Sequence, residues 1–310
     1  MPGQRLQSGG ATIAAGALAM VLFSANFAAS GHGLRAGLSV VDLVLLRYVV
    51  VGPAFLLLLW RIGLGGLSLR RAAVLALLAG APYYLLTAGA LEFAPATHAA
   101  ILNPGGTMLA APLLGWLILR ERPEIGVRVG IPILTAGLLL IGGTSLLEGG
   151  GGQAWIGDLL LLSSGAGWAL YGVLMRRWGV SGLRAAAVVG AFSLAWAPLH
   201  LLAFGAARIA AAPWEAAAQG LYQGVVAGGI AVVLYSRAVA LLGPARGALL
   251  PPIVPAFGVF WAWVLLGETI TPLQVVGMAT VVVGMLCGAL WRGAPAPGTR
   301  ATDETLLRRP

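Results

Sequence analysis

Trp116-Leu-Ile-Leu-Arg-Glu121 and Trp263-Val-Leu-Leu-Gly-Glu268 are two versions of one phrase. Each closes a long apolar run with a proline 17 residues before the glutamate, Pro104 in the first and Pro251 in the second. A two-fold repeat in an apolar chain points to an architecture of two related halves. Composition then names the solvent. The 310 residues are 59% hydrophobic and 9% charged, against roughly 25% charged in a soluble domain. So little charge cannot cover a water-facing surface, and the chain needs lipid around it.

A membrane span takes about 20 apolar residues. Ten such segments are read at 11–30, 40–59, 72–92, 97–119, 126–146, 154–175, 184–205, 216–236, 246–266 and 272–291. The first has the outline of a secretory signal ending at Ala28-Ala29-Ser30, but its apolar run is long and the repeat needs it. Cys287 is the sole cysteine, which excludes an internal disulfide and leaves a small hydrophobe in the last segment. All 19 basic residues are arginine, and with the abundant Ala and Gly this suggests a GC-rich bacterial genome. The net charge of +9 lies scattered between apolar segments rather than in a stripe, which argues against nucleic acid as a partner.

Arginine placement sets the topology. With the N-terminus in the cytoplasm, inner connections hold Arg5, Arg61, Arg70, Arg71, Arg120, Arg122, Arg128, Arg176, Arg177, Arg184, Arg237, Arg246, Arg292, Arg300, Arg308 and Arg309. The outer connections hold Arg35 and Arg208 alone, and Arg47 lies inside a span. That asymmetry implies ten spans with both termini inside. Five spans per half is an odd number, so the second half enters the membrane upside down. The expected organisation is a cytoplasmic N-terminus (1–10), a first five-helix repeat (11–146), a glycine-rich linker (147–153), an inverted second repeat (154–291) and a cytoplasmic tail expected to be disordered (292–310). Inverted repeats give a fold two oppositely facing conformations, the physical basis of alternating access.

Short pieces follow one another along the two halves: Leu45-Leu46-Arg47-Tyr48, Gly157-Asp158-Leu159-Leu160, Trp168-Ala169-Leu170-Tyr171, Ala238-Val239-Ala240-Leu241-Leu242-Gly243, Pro255, Leu266-Gly267-Glu268 and Thr271-Pro272-Leu273-Gln274. In these the chain resembles the EamA-type transporters of the drug/metabolite transporter superfamily over about residues 11–291. The first half departs from the pattern, with Met108 where a proline is expected and Arg120 where glycine usually precedes the glutamate. The resemblance implies a ten-helix inner-membrane carrier exporting metabolites, amino acids or drugs, and leaves the substrate open.

Among candidate site residues, Arg47 comes first, because a charge in hydrocarbon is costly and usually faces the bundle interior. Asp42, five residues earlier, is about 140° away around the helix and does not pair with it; it suits the helix dipole instead. Arg47 therefore has two readings: a snorkelling or backbone-bound arginine, or a contact for a substrate carboxylate. Glu92 with Thr97-His98 is read as a solvated loop-end pair rather than a proton relay. Glu121 and Glu268 are read as structural groups that pair loop arginines. Pro104 and Gly105 are expected to interrupt the fourth span, and Pro251, Pro252 and Pro255 the ninth; such breaks are tolerated only against protein or a water-filled cavity, so they are expected to line the path. At mid-depth, Tyr84, Trp168, Tyr171 and Tyr235, with Tyr83 beside them, and the polar Asn26, Thr87, Asn103 and Gln223 are expected to contact substrate.

No P-loop, HExxH or GxSxG pattern occurs, and no lone carboxylate lies deep in a span. The reading is an all-α membrane protein that is a secondary transporter of a small organic solute, not an enzyme, with no cofactor and no metal. Its partners are that solute and the lipid bilayer, with a homodimer left open. An intramembrane lipid-handling protein or enzyme, or a non-transporting sensor or scaffold, is the competing reading.

Overall fold

The computed structural model describes residues 3–147 and 153–291. The glycine run 149–152 and the tail 292–310 lie outside the described residues, as do the side chains of Arg5 and Arg246. Among the described residues there is no strand. Ten helices carry the fold: α1 (Gly10–Arg35), α2 (Val40–Ile62), α3 (Leu69–Glu92), α4 (Ala96–Leu119), α5 (Ile125–Gly143), α6 (Ala154–Arg177), α7 (Gly182–Phe204), α8 (Pro213–Gly243), α9 (Ile253–Leu266) and α10 (Pro272–Leu290). All except α9 are long and apolar enough to cross a membrane, and they make this a multi-pass membrane protein of two five-helix repeats.

Their ends follow local chemistry. Ser39 and Asp42 form a reciprocal capping box at the start of α2, and Thr271 and Gln274 form another at the start of α10. The repeated Trp–Glu phrase ends α4 and α9 in the same way, with a left-handed residue before the glutamate. In the second copy that residue is Gly267 (φ 67°), and in the first it is Arg120 (φ 62°).

Helix packing respects an exchange of the halves. The most extensive contacts join α5 to α10, α4 to α6, α1 to α8, α2 to α7 and α1 to α9. Swapping the repeats maps α5–α10 and α2–α7 onto themselves and exchanges α4–α6 with α9–α1. Lipid gives no hydrophobic drive between helices, so small residues that admit close backbone approach do this work. On α10, a β-carbon at Gly284 would lie 2.6 Å from the backbone nitrogen of Leu134, and one at Gly277 would lie 3.2 Å from the carbonyl of Gly137.

The helix interruptions fall elsewhere than the prolines predict. Helix α4 runs unbroken through Pro104 and Gly105, and Gly105 faces Leu138 of α5 in close packing. Pro251 and Pro252 lie in a turn outside the helix, so α9 begins at Ile253 rather than near 246. The real breaks are at Gly80 in α3 and at Leu194–Ala195 in α7. They face each other: the backbone N–H of Ala81, freed by the break, donates to Ser193 Oγ at 3.0 Å. A β-carbon at residue 80 would collide with that hydroxyl. In α8, Gly220–Ala231 is wound as a π-helix, a rare form frequently found at functional sites. Proline alone misled because neighbouring helices allow a membrane helix to continue through a proline.

A left-handed backbone costs a side-chain-bearing residue about 1–2 kcal/mol, partly offset by the greater unfolded-state freedom of glycine. Arg120→Gly is therefore expected to stabilise the protein by about 0.5 kcal/mol, and Gly267→Ala to destabilise it by about 1 kcal/mol. Reversible unfolding by SDS titration in mixed micelles measures both, and equal responses at the two positions would contradict the shared geometry.

Candidate functional site

Arg47 sits two turns into α2, about 10 Å along the helix from its start. Its Nη1 donates to Asn26 Oδ1 of α1 at 3.2 Å and to Gln223 Oε1 of α8 at 3.3 Å. Its guanidinium lies 4.9 Å from the ring centre of Tyr84 and 5.9 Å from that of Tyr48. Tyr84 reaches Ser30 at 2.8 Å, and Ser30 in turn accepts from Gln223 Nε2 at 3.0 Å. The arginine neither snorkels nor bonds to backbone carbonyls. Side chains from four helices hold it.

Two sequence periodicities build this network. Asn26 and Ser30 are one turn apart on α1. Glu215, Gln219 and Gln223 are spaced four apart on α8 and form a ladder: Gln223 Nε2 donates to Gln219 Oε1 at 3.2 Å, and Gln219 Nε2 to Glu215 Oε1 at 2.9 Å. Glu215 also meets His32 at 3.0 Å. The hydroxyl of Tyr222 donates to the carbonyl of Leu22 at 2.5 Å.

A second row adjoins the first through α3. Tyr83 donates to Asn103 Oδ1 at 3.4 Å, and Asn103 Nδ2 donates to Ser164 Oγ at 2.8 Å. Thr87 binds the carbonyl of Tyr83 at 2.9 Å. Trp168 of α6 lies between Tyr83 and Tyr171, 5.2 Å from each ring centre. Asn26, Arg47, Tyr84 and Gln223 thus form one cluster, with Thr87, Asn103, Trp168 and Tyr171 against it by way of Tyr83. Tyr235 belongs to an apolar cluster with Met20, Phe23 and Leu250 instead. The helix break at Gly80 is one turn before Tyr84 and meets Ser193 at the break in α7, while Pro104, Gly105, Pro251, Pro252 and Pro255 serve packing and helix entry. Sequence reasoning passed over Ser30, Tyr48, Gln219 and Tyr222, although the four-residue spacing of polar groups on α1 and α8 was a usable signal.

The ends of the bundle hold paired charges. Arg35 at the end of α1 meets Glu268 after α9 at 3.3 Å, and Arg176 at the end of α6 meets Glu121 after α4 at 2.9 Å. Exchange of the halves carries one pair into the other. They differ in burial: the Glu268 side chain is 12% exposed and also accepts from the N–H groups of Ala96 (3.1 Å) and Thr97 (2.9 Å), whereas Glu121 and Arg176 are each 55% exposed. Each pair borders a cavity. One of about 640 Å³ includes Arg35, Glu92 and Glu268; the other, of about 730 Å³, includes Glu121, Arg122, Arg176 and Met285.

Two further buried clusters correct the sequence reading. His98 is not a solvated partner of Glu92, which is exposed; it is buried, with Nδ1 2.8 Å from Asp158 Oδ1 and Nε2 3.1 Å from Gln274 Nε2. Helix α6 approaches Ala90 and Ala94 closely at Gly157, next to Asp158. Asp42 does more than face a helix dipole. It bonds Ser39, accepts from Arg208 Nε at 2.8 Å and lies 3.2 Å from Nε2 of the fully buried His200. Among the described residues no group of three or more His, Cys, Asp and Glu side chains is placed to hold a metal ion.

The sequence pattern of the EamA-like transporter family matches residues 10–143 and 155–288. An uncharacterized protein of Pseudomonas aeruginosa is 32% identical over 168 residues, a match that spans 54% of this chain and 56% of that protein. The match therefore covers about half the length of that relative. A solved structure titled only as the crystal structure of a protein superposes with a TM-score of 0.58 at 20% identity, covering 90% of this chain and 96% of that one, which shows a shared fold.

The unequal burial of the two end pairs has a measurable consequence. Glu268→Ala leaves two helix-start N–H groups without an acceptor and is expected to cost about 2 kcal/mol. Glu121→Ala, at an exposed pair, is expected to cost under about 1 kcal/mol. Thermal melts of the two variants in one detergent rank them, and an equal or inverted order contradicts the assignment.

Proposed function

The chain belongs to the EamA-like transporter family, and on that premise we propose that it is a secondary carrier moving a small organic solute by alternating access. Its setting is the bacterial inner membrane, its termini are both cytoplasmic and its net direction is export. The halves 11–146 and 154–291 are the bodies that rock against each other, with 147–153 as the connection. The observation that carries this reading is the Arg47 network: polar and aromatic side chains from both halves meet around an arginine inside a membrane span. Buried polarity in a membrane is expensive and marks solute paths. Discontinuous helices beside such a cluster are where transporter folds bind their cargo; α3 is interrupted one turn before Tyr84, and the end of α7's first segment bonds to that break.

Alternating access needs matched closures at the two faces. The exchange-related pairs Arg35–Glu268 and Arg176–Glu121, each beside its own cavity, supply candidates. The arginine distribution supports the orientation, since it puts the Glu121 end in the cytoplasm and the Glu268 end outside.

Counterflow into proteoliposomes preloaded with unlabelled amino acids and metabolites tests the carrier reading. Uptake of at least one labelled solute is expected, and Arg47→Ala is expected to slow it about tenfold or more, as for loss of a charge-assisted contact. Silence across the whole panel would sink the reading. For orientation, green fluorescent protein fused at either terminus is expected to fluoresce and alkaline phosphatase to stay inactive; phosphatase activity at one terminus would refute the ten-span topology.

A further inference from the structure

Resting on the reading of the Arg47 cluster as the solute site, we propose that the solute is an organic monoanion with a planar apolar body. Zwitterionic amino acids and cationic compounds are excluded. The argument is one of charge. Each partner of Arg47 is neutral: two amide oxygens and two tyrosines. Among the described residues no carboxylate forms an ion pair with it. Each nearby acid is already engaged. Asp42, five residues back on the same helix, binds Ser39 and Arg208 and lies 3.2 Å from His200 Nε2. Glu215 is two glutamines away up the α8 ladder and faces His32. Asp158 holds His98. The site therefore carries a fixed charge of +1 in a low-dielectric setting, where an uncompensated ion is costly and an anionic ligand relieves it.

Shape supplies the rest. Tyr84 stacks on the guanidinium while Asn26 and Gln223 hold one of its nitrogens, which fixes the plane of the fork before any ligand arrives. Tyr83 leads from there to Trp168 and Tyr171, whose rings follow one another at 5.2 Å with interplanar angles of 39° and 40°. Trp168 is 38% exposed, whereas Tyr171 is buried and Tyr83 half-buried. A carboxylate on Arg47 would lay the body of its own molecule along this row. The ammonium of an α-amino acid would sit one carbon from that carboxylate, facing the arginine with no acid to offset it.

The test is binding of a matched set to the purified protein: phenylacetate, phenylacetamide, phenethylamine, L-phenylalanine and cyclohexylacetate, read by thermal shift and titration calorimetry. Phenylacetate is expected to bind about tenfold or more tightly than the amide, the amine and the amino acid. It should exceed cyclohexylacetate by about threefold. Arg47→Gln should erase the preference for the acid, and Arg47→Lys should retain part of it. Equal or tighter binding of the amide, amine or amino acid would overturn the proposal, as would a preference that survives Arg47→Gln or a failure of both acids to bind. Equal binding of the two acids would overturn the planar-body part. If Arg47→Gln does not fold, the order among the five probes on the wild-type protein decides alone. Failure of the carrier reading looks different: the binding order would stand while none of the probes shows counterflow. Counterflow of the amine or amino acid would instead remove this inference and leave the carrier.

Discussion

Hydrocarbon offers no hydrogen bonds, and that constraint orders the whole structure. Each backbone N–H and C=O must find its partner inside the protein. Helices satisfy most of them, and the places where helices stop are where the protein had to supply something else. Glu268 takes up two N–H groups at the start of α4, and Ser193 takes up the one freed at Gly80. Those two acceptors come from the far side of the fold in sequence, so satisfying α3 and α4 ties the first half to the second. The interruption of α3 is thus a contact between α3 and α7.

The same solvent explains why glycines and alanines, not leucines, set the helix spacing. Leucine gains as much from lipid as from another helix, so close backbone approach is what distinguishes a protein neighbour. The α5–α10 and α4–α6 seams are built this way. Large apolar side chains such as Leu139, Leu202 and Leu241 point outward instead. In a soluble protein they would be liabilities.

Much of this was legible in the sequence. The doubled Trp–Glu phrase gave the repeat, hydropathy gave the spans, and arginine depth singled out Arg47. Tyr84, Asn26 and Gln223 were readable because polarity at depth is rare. What failed was proline. Pro104 sits in a helix that continues, because α5 and α6 pack around it, and sequence alone does not report neighbours. The breaks at Gly80 and Leu194–Ala195 carry no strong local signature; they exist because each supplies what the other lacks. His98 was misread for a related reason. Its position at a helix start suggested water, but Gly157 lets α6 approach closely and bring Asp158 to it, and a glycine sixty residues away gives no sign of that.

The amide ladder on α8 has one more consequence. Gln219 and Gln223 lie between the surface pair His32–Glu215 and Arg47. An amide has no labile charge: it passes on an orientation but does not pass on a proton. A movement of His32 or Glu215 reaches the arginine through two amides that must turn over in succession. The ladder therefore acts as a mechanical linkage. It lets the surface sense which way the central amide points.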